Sequence, residues 1–406
     1  MKKIAIAAGL LIVGCLAFTS CDKFSDVRNT SKIGNISATV KINLSVQAGD
    51  PTPSSYQVKL NNFAEGFEVI KNAGQDGTIT VDSLIPGIYT VTVSSEVASS
   101  GFTYNFNGNL VNTIVVKNGS ELVVPVSASK SGSIVMKEIY YCGSKTPSGG
   151  SYFRDQYYEL YNNGDQVQYL DGLCIGNLNP LTATANMPVW GGDHPENYIY
   201  FLTIWQVPGT GTTYPLAPGE SVIIAQMADN HKIATLNPAC PVNLLSAEFE
   251  TFVNSTSLIK DNPAVNMKMA FWPSPTPQWL VTVFGGAYAI FYPKETIDPA
   301  KFVTPVGSTT KAYKIPIDQV VDAVELVNDA TKMSLKRIPA VLDAGANFVS
   351  GTYTGQSLCR KIKTTLPNGR IIYKDSNNST EDFEVQNTPV IRRNGSKIPS
   401  WNTWAN

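Results

Sequence analysis

Two glutamates stand inside runs otherwise built from strand-forming residues: Glu138 in Lys137-Glu138-Ile139-Tyr140 and Glu159 in Tyr157-Tyr158-Glu159-Leu160-Tyr161. Ile, Val and Tyr favour extended chain because branched and aromatic side chains pack well on a pleated surface. A carboxylate among them must reach water, a cation or turn amides, because a bare buried charge is costly. Strands are predicted at residues 133–141, 156–162 and 170–176, with Gly149-Gly150 and Asn163-Gly164-Asp165 supplying turns between them.

The same signals recur upstream. Residues 38–46, ATVKINLSV, alternate as a half-buried strand, and further strands are predicted at 56–60, 67–71, 77–81, 87–94, 111–117 and 120–126. Between the fourth and fifth, Pro86-Gly87 is predicted to set a tight turn, with proline preset and glycine free to take positive φ. The spacing suits a small immunoglobulin-like or transthyretin-like sandwich over residues 35–127. Ser127–Gly132, SASKSG, is the predicted boundary, which few contacts are expected to cross, and a second unit follows over residues 132–406. Few helices are expected, so the fold class is all-β with two β-sandwich domains.

The first 20 residues have another character. Two lysines precede the apolar run 4–18, and Thr19-Ser20-Cys21 follows. The run is too short for a membrane span and reads as a processed export signal. It resembles a lipoprotein signal, which implies cleavage before Cys21, lipidation of that thiol, and residues 21–34 as a tether. Several acyl chains anchor firmly where one does not. No later apolar run is long enough to span a bilayer.

Composition narrows the chemistry. With 31 basic and 32 acidic residues the net charge is −1, so nucleic acid is not an expected partner. Cys142, Cys174, Cys240 and Cys359 allow three disulfide pairings or none, and there is no Cys-x-x-Cys spacing of a zinc site. The chain has two histidines, His194 beside Asp193 and His231 beside Asp229, which form weak metal candidates only if their loops converge. Neither a Gly-x-Ser-x-Gly elbow nor a phosphate-binding glycine loop is present. A carboxylate pair, Glu138 and Glu159, is formally a glycosidase arrangement, but on adjacent strands it is too close to the sheet for a sugar cleft. No catalytic residue and no cofactor is assigned. Aromatic residues are the better lead. Trp190, Trp205, Trp272 and Trp279 fall in segments 177–215 and 238–277 or just beyond, read here as long loops, and are candidates for ligand or partner binding.

Resemblances to known families sharpen this reading. The stretch 77–93, with Leu84-Ile85-Pro86-Gly87-Ile88-Tyr89, is similar to a signature of carboxypeptidase-regulatory-like and transthyretin-like surface modules. Val135–Tyr140, Tyr158–Asn162, Leu216-Ala217-Pro218-Gly219, Asp322–Leu326, Ser357–Arg360 and Asp375–Phe383 resemble successive strands of the lamin-tail-like β-sandwich, with Lys137 where that family usually has Asn. By that likeness Arg360 is expected to pair with a carboxylate near Asp382. The arrangement as a whole resembles a lipoprotein family of the Bacteroidota, the domain of unknown function 4876, through segments such as DQYYELYN at 155–162, ADNH at 228–231 and KDSNNSTEDF at 374–383. The resemblance implies an outer-membrane, lipid-anchored binding protein, periplasmic or cell-surface facing, that works with a TonB-dependent receptor in ligand capture. The alternatives are an exported hydrolase of glycan or nucleic acid and a structural adhesin.

Overall fold

The computed structural model describes residues 34–99, 102–184, 186–256, 259–273, 279 and 281–405. The expected signal peptide, Cys21 and the tether other than Gly34 lie outside these residues. The described chain is almost wholly β-structure; its one α-helix is the single turn Ser379–Asp382.

The N-terminal unit is one sheet of β1 (Ile36–Ser45), β2 (Ser55–Asn62), β3 (Phe67–Gly74), β4 (Thr78–Leu84), β5 (Gly87–Ser99), β6 (Phe102–Val115) and β7 (Ser120–Lys130), in the order β3-β2-β5-β6-β7-β1-β4. The strands β1 and β7 are parallel, whereas β1 and β4 are antiparallel. All seven strands send side chains into one core around Val40, Leu60, Tyr89, Val91, Phe106 and Val124, so the sheet is folded over on itself. The Pro86-Gly87 connection differs from expectation. It joins β4 to β5, which are not neighbours: β4 lies on β1, and β5 lies between β2 and β6. Positive φ falls on Ser83 (64°) and not on Gly87. Glycine is needed at 87 because a Cβ there would meet the buried Asn62 amide. The Tyr89 hydroxyl donates to the Ile85 carbonyl (2.6 Å) and pins the crossing.

The predicted boundary also reads differently in three dimensions. Residues 127–130 continue β7, and the contacts across the junction are numerous. Along β6, the Asn105, Asn107 and Asn109 amides donate to the carbonyls of Asp375 (3.1 Å), Ser376 (2.8 Å) and Ala344 (3.3 Å). Lys59 also reaches Glu381 (2.9 Å).

The second unit is a sandwich of two sheets. The first has the strand order Val265–Asn266, Phe249–Glu250, Ser221–Ala225, Tyr157–Asn162, Ile134–Tyr140, Ser357–Arg360, Phe383–Gln386. The second runs Lys268–Phe271, Tyr198–Gln206, Cys174–Leu178, Ala287–Phe291, Val320–Glu325, with Tyr313–Pro316 also on Tyr198–Gln206. Tyr158, Leu160, Val222 and Ile224 face Ile175, Trp205, Tyr288, Ile290 and Val324 across the core. The far side of the second sheet is covered too, by Ile297, Ile338 and Leu342. Two expectations change here. Residues 170–173 form a turn, with Gly172 at φ 79°, so the third strand begins at Cys174. Residues 198–206, read as loop, are a nine-residue strand. Cys142, Cys174, Cys240 and Cys359 are buried free thiols.

Candidate functional site

The embedded glutamates sit on the outer face of the first sheet. A bulge at Lys137 places it beside Glu159, and Glu138 is the cross-strand partner of Glu159. Lys137 Nζ lies 2.8 Å from Glu159 Oε1. Glu138 accepts from the Ser357 hydroxyl (2.7 Å), the Val390 N–H (3.0 Å) and Arg393 Nε (3.1 Å). Glu159 Oε2 accepts the Arg392 N–H (3.0 Å), and Glu248 holds the Ile223 N–H (2.7 Å), the Arg392 guanidinium and the Asn402 amide. The C-terminal segment thus lies over this face as a strap. Trp401 and Trp404 fasten it by indole N–H bonds to the Pro215 (2.8 Å) and Ala247 (2.9 Å) carbonyls. Both glutamates are consumed by the chain itself and face no cleft.

A second buried network centres on Arg360. Its guanidinium meets Asp382 (3.4 Å), as expected, and also Asp322 (2.7 Å) and Asp375 (3.2 Å), while Nε donates to the Met136 carbonyl (2.9 Å). Asp322 belongs to the second sheet and accepts the Met136 N–H (2.7 Å), so the arginine ties the two sheets together. Three carboxylates share one guanidinium, and burial, opposed by Arg360, pushes the Asp375 carboxyl up to about 7.

The proposed metal candidates are not brought into one site. Asp193 and His194 are exposed, and His194 Nδ1 is 3.0 Å from its neighbour Glu196. His231 is fully buried: Nε2 donates to the Met227 carbonyl (2.9 Å), which leaves Nδ1 to accept from the Tyr152 hydroxyl (2.7 Å). Asp229 accepts the adjacent Asn230 N–H (2.6 Å). Among the described residues no group of three or more His, Cys, Asp or Glu could hold a metal ion. Near His231, Asp155 accepts from Tyr140 (2.7 Å), Ser144 (2.8 Å) and the Cys240 thiol (3.2 Å).

The four tryptophans divide. Trp205 and Trp279 are core residues, which corrects their candidacy for binding. Trp205 packs between the sheets, and Trp279 stacks on Tyr158 with its indole N–H on Asn177 (2.9 Å). Trp272 is half-buried, edge-on to Trp205. Trp190 is half-buried and lies flat on Tyr200, centroids 3.8 Å apart. Around it the loops that carry Val189 and Val306 meet through the Val306 N–H and Val189 carbonyl (2.8 Å). Val189 and Val306 are 66% and 70% exposed. This aromatic and valine surface is the candidate recognition site. Sequence reading found Trp190 but missed Val189 and Val306, because lone valines in loops carry no pattern.

Fold and surface define an all-β, multi-domain sandwich protein with internally spent charges. The family model described as "Protein of unknown function (DUF4876)" matches residues 217–390. The crystal structure of a DUF4876 family protein from Bacteroides thetaiotaomicron VPI-5482 is 41% identical, with a TM-score of 0.65 over 90% of this chain and 99% of that one. The chain belongs to the DUF4876 family. No curated protein matches it.

Proposed function

We propose that this is a non-catalytic, lipid-anchored binding protein of the outer membrane that engages a TonB-dependent receptor in ligand capture, with the Trp190 surface as the contact. The observation that carries the reading is the exposed Val189–Val306 pair on two loops of a rigid sandwich, beside Trp190 stacked on the strand residue Tyr200. Aromatic and apolar side chains displayed on such loops are the usual material of recognition surfaces. The commitment of Glu138, Glu159 and Glu248 to the strap supports a non-catalytic role.

The test is co-purification of membrane partners with the full-length protein. Val306→Asp and Trp190→Ala should weaken receptor capture about thirtyfold, the effect of losing a contact of roughly 2 kcal/mol, with little change in the melt. Cys21→Ala should leave the membrane fraction. Equal capture by wild type and both variants would remove this surface from the model, and turnover across a glycan and nucleic-acid panel would replace binding with hydrolysis.

A further inference from the structure

We infer that the end of the N-terminal sheet where the chain enters it is a lipid-contacting surface, with Ile88, Ile114 and Val116 resting on the phospholipid bilayer. This rests on the lipid-anchored reading above.

Ile88 in β5 and Ile114 in β6 are direct cross-strand partners. They are 57% and 67% exposed, and nearby Val116 is 54% exposed. Strand alternation sends their neighbours Tyr89 and Val115 into the core, so the exposed isoleucines belong to a distinct outward set. Their position follows from three contacts. Ile36, where β1 begins, is in register with Leu84 beside the 85–88 turn. The Ser37 N–H donates to Asn118 Oδ1 (2.9 Å), and the Gly119 N–H donates to the Ser37 carbonyl (2.9 Å). The turns 85–88 and 115–119 therefore flank the point where the chain arrives from Cys21.

Between Cys21 and Ile36 lie few enough residues that even a fully extended chain spans at most about 50 Å. A lipidated Cys21 therefore holds the point where the chain enters the sheet within that distance of the bilayer, and this end has the shortest path to it. The chemistry suits that place. Residues 83–88 and 111–119 contain no Asp or Glu, and their one charged residue is Lys117. Exposed apolar side chains with a flanking lysine bind at the headgroup–acyl boundary of anionic membranes, whereas acidic groups are repelled there. Docking of this end sets the orientation of the first sandwich, and the Asn105–Asn109 contacts pass it on to the second.

The experiment uses the full-length lipidated protein in phosphatidylethanolamine–phosphatidylglycerol vesicles. Nitroxide labels are placed through Ile88→Cys, Ile114→Cys and, as a control on the second sandwich, Val306→Cys. Labels at 88 and 114 should gain access to oxygen and lose access to an aqueous nickel chelate on vesicle binding, while the label at 306 stays open to the chelate. An Ile88→Glu/Ile114→Glu variant should keep its melt and restore chelate access to a label at Val116→Cys. If labels at 88 and 114 stay open to the chelate although Cys21 carries acyl mass and the protein sediments with vesicles, the docking surface is wrong and the anchor stands. Spin–spin broadening that grows with protein density would mean that a second copy covers the patch, and overturns the proposal. A Cys21 without acyl mass in protein that does not sediment removes the anchored reading and this inference with it.

Discussion

Lys137 Nζ sits 2.8 Å from Glu159 Oε1, with both side chains completely buried between the first sheet and the C-terminal strap. Lys137 also donates to the Arg393 carbonyl (2.6 Å) and the Ser396 hydroxyl (2.7 Å), so each of its three protons has an acceptor. A buried pair is tolerated only when its remaining hydrogen-bonding capacity is met in this way.

Removing one partner leaves a charge in a dry site. Lys137→Met should destabilise the protein by about 3–5 kcal/mol in denaturant unfolding, and Lys137→Met/Glu159→Leu should recover much of that loss. A double variant no better than the single would mean that the pair is not the unit of stability.

The Asp375 carboxyl titrates at about 7 in the fold because burial favours its neutral form, against about 3.9 when unfolded. A raised carboxyl contributes stability that is complete below the unfolded value and is lost as pH rises through the folded one. The melting temperature should therefore fall from about pH 4 to about pH 7. Asp375→Asn keeps an oxygen for Arg360 and should flatten that fall; an unchanged slope would assign the titration elsewhere.

Core tryptophans answer differently from Trp190. Trp205→Ala and Trp279→Ala should each cost about 3–5 kcal/mol by cavity formation. Trp190→Ala should cost far less, because its half-buried ring is a loop side chain that covers Tyr200 from outside the core. The comparison is three denaturant curves.

Burial pushes the Cys359 thiol up to about 12 and raises those of Cys142, Cys174 and Cys240 as well. None of the four should react with a maleimide until the protein unfolds, and reductant should not shift the melt. A fall of the melt in reductant would show a disulfide.

Ile134–Tyr140 and Tyr157–Asn162 of the first sheet were legible because Ile, Val and Tyr runs stand between clear turn residues, whereas the two-residue strands Phe249–Glu250 and Val265–Asn266 lie in a segment read as loop. Tyr198–Gln206 was not. Both faces of that strand are buried, so YIYFLTIWQ lacks the alternation that marks a half-buried strand and reads only as a continuous apolar run. That misreading carried Trp205 into a supposed loop. Glu138 and Glu159 announced an unmet need for partners, but Arg392 and Arg393 lie more than 230 residues away in a stretch without periodicity. Arg360 was expected to pair with a carboxylate near Asp382, which Asp382 and Asp375 fulfil, whereas Asp322 joins it only through the stacking of two sheets.

The strap also makes distant parts of the second unit depend on one another. Ile134–Tyr140 and Tyr157–Asn162 carry carboxylates whose further donors, from Val390, Arg392 and Arg393, stand more than 230 residues along the chain. Without those donors Glu138 would be left with the Ser357 hydroxyl and Glu159 with Lys137. A proteolytic nick just before Thr388 would therefore be felt at the opening strands of the unit, where water would have to enter to take the place of the missing groups.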